Sequence, residues 1–431
     1  MVHAAELITC KTPGGAARGN QLARLDCIAD GAIAVRGGHI LAVGPTAEIA
    51  ARYDSLRVID ATGRLVSPGL VDSHTHLVHA GSRHRDWEAT VTGARPSGID
   101  SGIRITLNAT RAATVLQLRS SALSDLDAML IHGTTTVEAK SGYGLDQQTE
   151  LRLLQTAAQL DHPITVVTTY LGAHVLPPEF ISDRSGYLKL VLDTLPQARQ
   201  YATYCDMACD PISFTADECE QIATVAVSMG YRLRVHADQT GDAGGTEFAV
   251  RHHASSVDHL DEISENGLSL LAQSDTVGTI FPSVTHHLLE TVPKVNEQAQ
   301  HTDRPGWARR LIDSGAALAL ATDYNPGTSP CRSMQTIMQL AARLYRLSYS
   351  EIWQMSTINP AQALDRDDKI GSLEPGKRAD ILVWRVPEHG MVINQFGTNL
   401  VDTVIADGQV VVACGQRSNS VQESRLSPAE R

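Results

Sequence analysis

The chain has 431 residues, 42% of them hydrophobic and 19% charged, so it can bury a sizeable core in two or three domains and is not globally disordered. Its formal net charge of −12 argues against a surface for nucleic acid or anionic membrane, because such a surface needs clustered basic residues. Seven scattered cysteines, no signal peptide and no apolar run of about 18 residues predict a cytoplasmic protein with reduced thiols and no membrane span.

The first 65 residues contain short apolar runs separated by turns. Residues 32–35 and 40–44 are two such runs, and residues 36–39 (RGGH) lie between them. Two apolar runs around a glycine-containing turn are typical of a β-hairpin. We therefore predict antiparallel strands at the start of the chain.

The middle of the chain alternates short β-branched, apolar runs with segments of helical spacing, which are clearest at residues 147–159 and 216–229. Eight β/α repeats over about 300 residues predict an α/β fold, a (β/α)₈ TIM-like barrel at residues 66–369, with a doubly wound sheet as the alternative. The eight runs are residues 65–75, 134–139, 164–170, 202–205, 232–236, 256–259, 276–281 and 317–322.

The end of the chain returns to hairpin-like sequence. Residues 380–384, 401–406 and 409–412 are apolar, and an Asp-Gly pair separates the last two runs. This pair is a strong hairpin signal. We predict one small composite β-sandwich domain, built from residues 1–65 and 370–431.

The motif with the clearest chemistry lies at the end of the first run, where the sequence reads PGLVDSHTH over residues 68–76. His74 and His76 are two positions apart, so on a strand they point to the same side and can converge on one cation. The carboxyl ends of the strands are also where a barrel builds its active site. The spacing therefore predicts a pair of metal ligands.

Three later runs also end in residues that can bind a metal. His236 and Asp238 end the fifth run, Asp258 and His259 end the sixth, and Asp323 ends the eighth. Imidazole and carboxylate ligands suit zinc or iron(II), and a site built from them acidifies a bound water. We predict one divalent metal ion, with zinc preferred and iron as the alternative.

Three further residues allow two interpretations each. Lys140 ends the second run and is either carbamylated to bridge two metals or, more simply, paired with an acid at a strand end. His174 follows the third run and either stabilises an oxyanion or is a loop histidine. Arg83 follows the histidine pair and either clamps a substrate carboxylate or is a surface charge.

Taken together, these motifs resemble those of the amidohydrolase superfamily, and within it most closely the imidazolonepropionase family. The resemblance runs from about residue 33 to residue 412. Its specific stretches are residues 68–76, 137–145, 171–174, 321–327 and 371–380.

The resemblance implies a role for each candidate residue. The metal would be held by His74, His76, His236 and Asp323, while His259 and Asp323 would assist the water or the tetrahedral intermediate. The residues expected to contact substrate or product are Arg83, Tyr143, His174, Gln239, Asn325, Gly327 and Thr328.

The sequence departs from the family pattern around the substrate. Gln239 stands where the family has an acid, and a glutamine can hydrogen-bond the ring but cannot move a proton. Residues 95–99 and 101–104 replace a Tyr-containing loop and a Gly-Gly-Gly-Ile stretch, and His286 and His287 replace a pair of phenylalanines. The metal ligands are retained while the surroundings of the substrate differ.

Three hypotheses follow for the function, all with a small heterocyclic carboxylate as the partner and with a homodimer as the expected assembly. The first is hydrolysis of imidazolonepropionate to N-formimino-glutamate. The second is a variant that acts on the thiohydantoin or hydantoin propionate, for example hydrolytic desulfuration of 3-(5-oxo-2-thioxoimidazolidin-4-yl)propionate. The third is a barrel that binds a metal or ligand without catalysis.

Overall fold

The computed structural model describes residues 1–55, 57–93, 102–288 and 304–418. These residues form two eight-stranded sheets surrounded by helices. The strands are β1 (Ala4–Ile8), β2 (Cys27–Arg36), β3 (His39–Pro45), β4 (Leu65–Pro68), β5 (Leu70–Asp72), β6 (Thr134–Lys140), β7 (Thr165–Ala173), β8 (Tyr204–Cys209), β9 (Arg232–Ala237), β10 (Ser256–His259), β11 (Val277–Ile280), β12 (Leu318–Leu320), β13 (Ile381–Trp384), β14 (Val401–Ala406), β15 (Gln409–Ala413) and β16 (Gln416–Arg417).

The sheet from β5 to β12 is a parallel barrel in which each strand pairs with the next along the chain. Its strands are buried on both faces, as in β6, where every residue is buried. A parallel bridge between Thr75 and Tyr324 links the chain segments that follow β5 and β12. The predicted (β/α)₈ barrel is therefore confirmed, and it is nearly closed.

Helices cover the outside of the barrel, and several begin at a side chain that caps the first turn. Asp146, for example, accepts a hydrogen bond from the Thr149 backbone N–H at 2.8 Å. The helices are α1 (Thr46–Arg52), α2 (His84–Val91), α3 (Ile103–Ala112), α4 (Val115–Ile131), α5 (Gln147–Ala158), α6 (Arg184–Ala198), α7 (Ala216–Ser228), α8 (Gly245–Arg251), α9 (Glu265–Ala272), α10 (Pro282–Leu288), α11 (Arg304–Asp313), α12 (Met334–Leu344), α13 (Tyr349–Met355), α14 (Ile358–Ala363) and α15 (His389–Asn394), with 3₁₀ turns at Gly19–Ala23 and Pro178–Phe180.

The second sheet joins the two ends of the chain, in the order β16-β15-β14-β13-β4-β1-β2-β3. Its pairs are antiparallel except for β1 with β4, which is parallel. Buried residues such as Leu7, Val66 and Ile381 form a core of its own. The predicted division at residues 65 and 370 stays a prediction, and residues 419–431 of it lie outside the described part of the chain.

Two of the predicted runs differ from the observed strands. Residues 65–75 were expected to form one strand, but β4 belongs to the terminal sheet and only β5 belongs to the barrel. The two strands part at Gly69, where an added Cβ would overlap the Thr135 side chain. The fourth run was placed at residues 202–205, whereas β8 extends to Cys209.

No helix among the described residues is both long and apolar enough to cross a membrane.

Candidate metal centre

The candidate centre begins where β5 and β12 end side by side. Asp72, the last residue of β5, accepts hydrogen bonds from the Thr322 backbone N–H at 3.0 Å and from its hydroxyl at 2.7 Å. This link holds Asp323 opposite the two histidines that follow β5. Asp323 Oδ1 lies 3.5 Å from Nε2 of both His74 and His76.

Two further histidines complete the cluster from the neighbouring strands β9 and β10. The ring of His236 lies 4.6 Å from that of His74 and 5.3 Å from that of His259, measured between centroids. The possible ligand atoms lie within 4.8 Å of one another in overlapping groups, which are His74 with His236 and His259, His74 with His76 and Asp323, and His76 with His174 and His236. The structure thus brings together residues from five strand ends.

Carboxylates orient two of these histidines. His74 Nδ1 lies 2.7 Å from Asp258 Oδ2, and His236 Nδ1 lies 3.1 Å from Asp206 Oδ1. A carboxylate only accepts, so the proton sits on Nδ1 and the Nε2 lone pair is free in each neutral ring. Both Nε2 atoms are buried without a hydrogen-bond partner among the described residues. This arrangement fits a divalent cation, because metal-ligating histidines characteristically donate their other N–H to a carboxylate.

Burial keeps most of the imidazoles neutral. It lowers the pKa of His74, His76 and His259 well below the usual value, and neighbouring positive groups act in the same direction. Burial would also lower the pKa of His236, but the charge of Asp206 and its hydrogen bond raise it. Burial raises the pKa of Asp323 to about 7, against the opposing charge of His236. Neutral rings are the form that binds a metal.

Lys140 lies in a buried ion cluster next to these histidines. Its Nζ is 2.5 Å from Asp206 Oδ2 and 2.9 Å from Glu138 Oε2. The Arg234 guanidinium joins the cluster, with Nε 3.0 Å from Glu138 Oε1. Of the two interpretations of Lys140, the structure shows the simpler one, a lysine paired with acids on the barrel strands.

His174 and Tyr143 border the cluster on the side of β6 and β7. The His174 ring stacks on that of His76, with centroids 5.1 Å apart and planes 14° apart, and Tyr143 lies 5.5 Å from His174. His174 Nδ1 is 2.9 Å from the Gly142 carbonyl, so that nitrogen carries the proton. Burial lowers the pKa of His174 to about 4, so the ring is neutral at pH 7 and its Nε2 is an acceptor. An acceptor suits a substrate N–H better than the oxyanion considered from the sequence.

The loop after β12 is shaped by Asn325. Its Oδ1 accepts from the backbone N–H groups of Gly327 and Thr328, each at 2.8 Å, and its Nδ2 donates to the Asp323 carbonyl at 2.7 Å. The Arg83 guanidinium packs against Gly327 so closely that an added Cβ would overlap it. Arg83, Gly327 and Thr328 therefore lie in one region beside the cluster, while Asn325 holds the loop.

Of the two residues that follow β9, Asp238 has a structural role and Gln239 is a candidate substrate contact. Asp238 accepts hydrogen bonds from the Thr246 hydroxyl at 2.6 Å and its backbone N–H at 3.2 Å, at the start of α8, so its role is to cap that helix. The backbone N–H of Gln239 donates to Asp210 Oδ2 at 3.0 Å, and the Gln239 side chain makes no hydrogen bond among the described residues.

His287 stacks on Trp87, with ring centroids 5.1 Å apart. The replaced loop at residues 95–99 lies outside the described part of the chain.

Asp206, Glu138 and Arg234 are contributors that the sequence analysis missed. Asp206 lies inside β8, beyond the predicted end of the fourth run, and is fully buried. A charged residue within an apolar strand is the signal that would have drawn attention to each of them. Lys140 lies only two positions from Glu138, but the partners of Asp206 and Arg234 lie tens of residues away, so those pairings are not visible in the sequence.

Comparison with known proteins gives matches along nearly the whole chain. The profile of the amidohydrolase family matches residues 65–411, and that of the imidazolonepropionase-like composite domain of bacteria matches residues 31–54. A protein named imidazolonepropionase from Fusobacterium nucleatum is 38% identical over 391 residues, covering 89% of this chain and 91% of that protein. Another of that name, from Geobacillus thermodenitrificans, is 39% identical over 404 residues, covering 91% and 92%.

Solved structures of more distant proteins share the fold. An adenosine deaminase from Xanthomonas campestris with bound zinc has a TM-score of 0.66 at 17% identity, covering 99% of this chain and 94% of that chain. An atrazine chlorohydrolase from Arthrobacter aurescens TC1 complexed with zinc has a TM-score of 0.67 at 18% identity, covering 98% and 97%.

Proposed function

Because this chain belongs to the amidohydrolase family, we propose that it hydrolyses a five-membered cyclic amide that carries a propionate arm. The first candidate reaction opens the ring of imidazolonepropionate to give N-formimino-glutamate. The observation that carries the proposal is the convergence of buried imidazole nitrogens and one carboxylate at the carboxyl ends of the barrel strands. The relatives named imidazolonepropionase support this choice of ring.

The proposed ligands of the metal are His74, His76, His236 and Asp323, whose donor atoms lie in the overlapping groups described above. Zinc is the preferred ion, since imidazole and carboxylate suit it, and iron is the alternative. When bound, a divalent cation supplies Lewis-acid polarisation and lowers the pKa of water.

The side chains of the chain itself then orient the substrate and move protons. The Asp323 carboxylate takes the proton that the attacking water loses. His259 hydrogen-bonds the water or the tetrahedral intermediate through Nδ1, which has no hydrogen-bond partner in the part of the chain that the structure describes. His174 Nε2 accepts a ring N–H, and Tyr143 borders the ring beside it.

The propionate arm of the substrate would lie in the region of Arg83. A guanidinium matches a carboxylate with two parallel hydrogen bonds, which fixes both charge and direction. The backbone of Gly327 and the hydroxyl of Thr328 lie on the loop beside this arginine and would bind the rest of the arm or the amide product.

A second candidate substrate is the thioxo or oxo analogue of the same propionate. Gln239 favours it, because a glutamine cannot transfer the proton that an acid at this position would transfer. In the thioxo ring, water would add at C2 and the carbon–sulfur bond would break. One water would be consumed, and the products would be the ring with a carbonyl at C2 and hydrogen sulfide.

The test is to incubate zinc-loaded protein separately with imidazolonepropionate, the hydantoin propionate and the thiohydantoin propionate. Ring opening is followed by loss of ring absorbance and by mass spectrometry, and sulfide is measured with a thiol-reactive dye. Opening of imidazolonepropionate alone supports the first candidate, and release of sulfide or opening of the hydantoin supports the second. No turnover of any of the three rings by protein with stoichiometric metal would contradict the proposal and favour a binding protein.

A further inference from the structure

One ammonium group lies among three buried carboxylates next to the metal-facing histidines. Lys140 Nζ is 2.5 Å from Asp206, 2.9 Å from Glu138 and 3.6 Å from Asp258. The four side chains come from β6, β8 and β10, and none is exposed to solvent. Their close approach therefore does not depend on surface charges that water would screen.

Two of these carboxylates also hold the histidines of the proposed centre. Asp206 contacts His236 and Asp258 contacts His74, through Nδ1 in each case. Each carboxylate thus lies between Lys140 and one histidine. A single ammonium is therefore in contact with the carboxylate that holds His236 and lies 3.6 Å from the carboxylate that holds His74.

The same place has the ligand chemistry of a cation site. Carboxylate oxygens are preferred by divalent cations, and the ligand atoms of Asp206, His236 and Asp258 lie within 4.8 Å of one another. Arg234 supplies the other buried positive charge, but it contacts Glu138 at 3.0 Å and only approaches Asp258, at 3.9 Å. Without Lys140, the partner left in contact with Asp206 among these side chains would be His236.

We propose that the Lys140 ammonium occupies the place that a second cation would otherwise take beside the histidines. Lys140 is then a positioning residue, which acts on His236 and His74 through Asp206 and Asp258. This inference rests on the metal centre of the proposed function and adds the reason for its stoichiometry.

The charge of the surroundings favours the ammonium over the carbamylated form considered from the sequence. A carbamate is an anion and would lie among three carboxylates, whereas an ammonium pairs with them. Burial alone would lower the pKa of Lys140, but the charges of Asp206 and Glu138 raise it, which keeps the amine an ammonium. An ammonium does not react with carbon dioxide, whereas a free amine does.

The test counts metal ions in wild-type protein and in Lys140→Ala, which removes the charge and opens room for an ion. Each protein is saturated with zinc, passed through a desalting column and measured by mass spectrometry of the metal. We expect one zinc per chain in the wild type and two in Lys140→Ala. The matched control is Lys189→Ala, which removes an exposed lysine on α6 and is expected to keep one zinc.

The zinc counts distinguish failure of this inference from failure of the proposed function. One zinc in both wild type and Lys140→Ala overturns the inference and leaves the proposed function intact, whereas a wild type without metal contradicts the proposed function itself. If Lys140→Ala does not fold, the same zinc count in Lys140→Met, which removes the charge and keeps most of the volume, decides. Saturation at one zinc in excess metal, with no carbamate signal in carbon NMR after incubation with labelled bicarbonate, supports the inference, and two zinc ions or a carbamate overturns it.

Discussion

At the scale of single residues, the centre depends on pairs in which a carboxylate holds a histidine. Asp206 and Asp258 fix the protonated nitrogen of His236 and His74, and this leaves the other nitrogen free. Residues of this kind do not touch the metal, yet their loss typically weakens metal affinity 10–100-fold. Metal affinity in this centre therefore depends on how each ligand is oriented as well as on which residue it is.

Replacement of Asp206 by asparagine is expected to raise the metal dissociation constant about 10–100-fold, because the amide no longer fixes the His236 proton by charge. The dissociation constant is measured by competition with a coloured zinc chelator. The control is Asp217→Asn, an exposed position on α7, which should leave affinity unchanged. Equal affinities in the two variants would show that Asp206 does not support the centre.

Replacement of Arg83 by methionine is expected to raise KM for the propionate substrate about 10–100-fold with little change in kcat. The loss of charge-assisted hydrogen bonds costs about 1.5–3 kcal/mol of binding. Arg85→Met, on the exposed side of α2, is the matched control. Steady-state kinetics are measured with the substrate and with its propionamide. Because the amide lacks the carboxylate that Arg83 would bind, its KM should differ little between the wild type and Arg83→Met. A KM that Arg83→Met leaves unchanged would remove Arg83 from the substrate site.

At the scale of elements, the ends of β5 and β12 are joined by side chains and not by a continuous strand ladder. Asp72 receives two hydrogen bonds from Thr322, and the Tyr324 backbone N–H donates to the Thr322 hydroxyl at 3.0 Å. Asp323 has φ of 48°, in the left-handed region, so the chain turns sharply at the residue that faces the histidines. The junction thus closes the barrel and places a proposed ligand.

Replacement of Thr322 by valine is expected to lower the free energy of unfolding by about 2–4 kcal/mol, because a buried carboxylate oxygen and a buried N–H lose their partner. Urea denaturation measures the change. Thr134→Val, also buried in a barrel strand, is the control, since the Thr134 hydroxyl has no hydrogen-bond partner among the described residues. That variant should keep or raise the stability, because it removes a buried hydroxyl that has no partner. A similar loss in both variants would contradict the role given to the junction.

The element scale also shows what the sequence could predict. All eight predicted runs overlap an observed barrel strand, because buried parallel strands are continuous apolar runs, although the third and fourth runs end three and four residues before their strands do. The first run, residues 65–75, divides at Gly69, whose backbone N–H donates to the Asp380 carbonyl at 2.9 Å. Because this contact joins residues more than 300 positions apart, the sequence around Gly69 carries no turn signal that would predict the break. For the same reason, His74 and His236 were predictable as strand-end residues, whereas the carboxylates that hold them were not.

At the scale of the whole molecule, Asn359 ties the start of the chain to the barrel. From α14, its side chain accepts from the Ala17 backbone N–H at 2.7 Å and donates to the carbonyls of Ala17 at 3.0 Å and Leu318 at 2.7 Å. All these groups are buried, so each would cost free energy if left unpaired. The barrel and the N-terminal segment therefore stabilise each other.

Replacement of Asn359 by alanine is expected to lower the free energy of unfolding by about 2–4 kcal/mol, since three buried backbone groups lose a partner. Differential scanning calorimetry should show a lower unfolding temperature. Asn394→Ala, exposed at the end of α15, serves as the control and should unfold as the wild type does. An unfolding temperature of Asn359→Ala equal to that of the control would show that this contact does not join the two parts.

The central claim is that His74, His76, His236 and Asp323 hold one divalent cation at the mouth of the barrel. Anomalous X-ray scattering from a crystal of active, zinc-loaded protein, recorded on both sides of the zinc absorption edge, tests it most directly. We expect one anomalous peak among these four side chains. An active sample without such a peak, or with its peak at another place in the molecule, would contradict it.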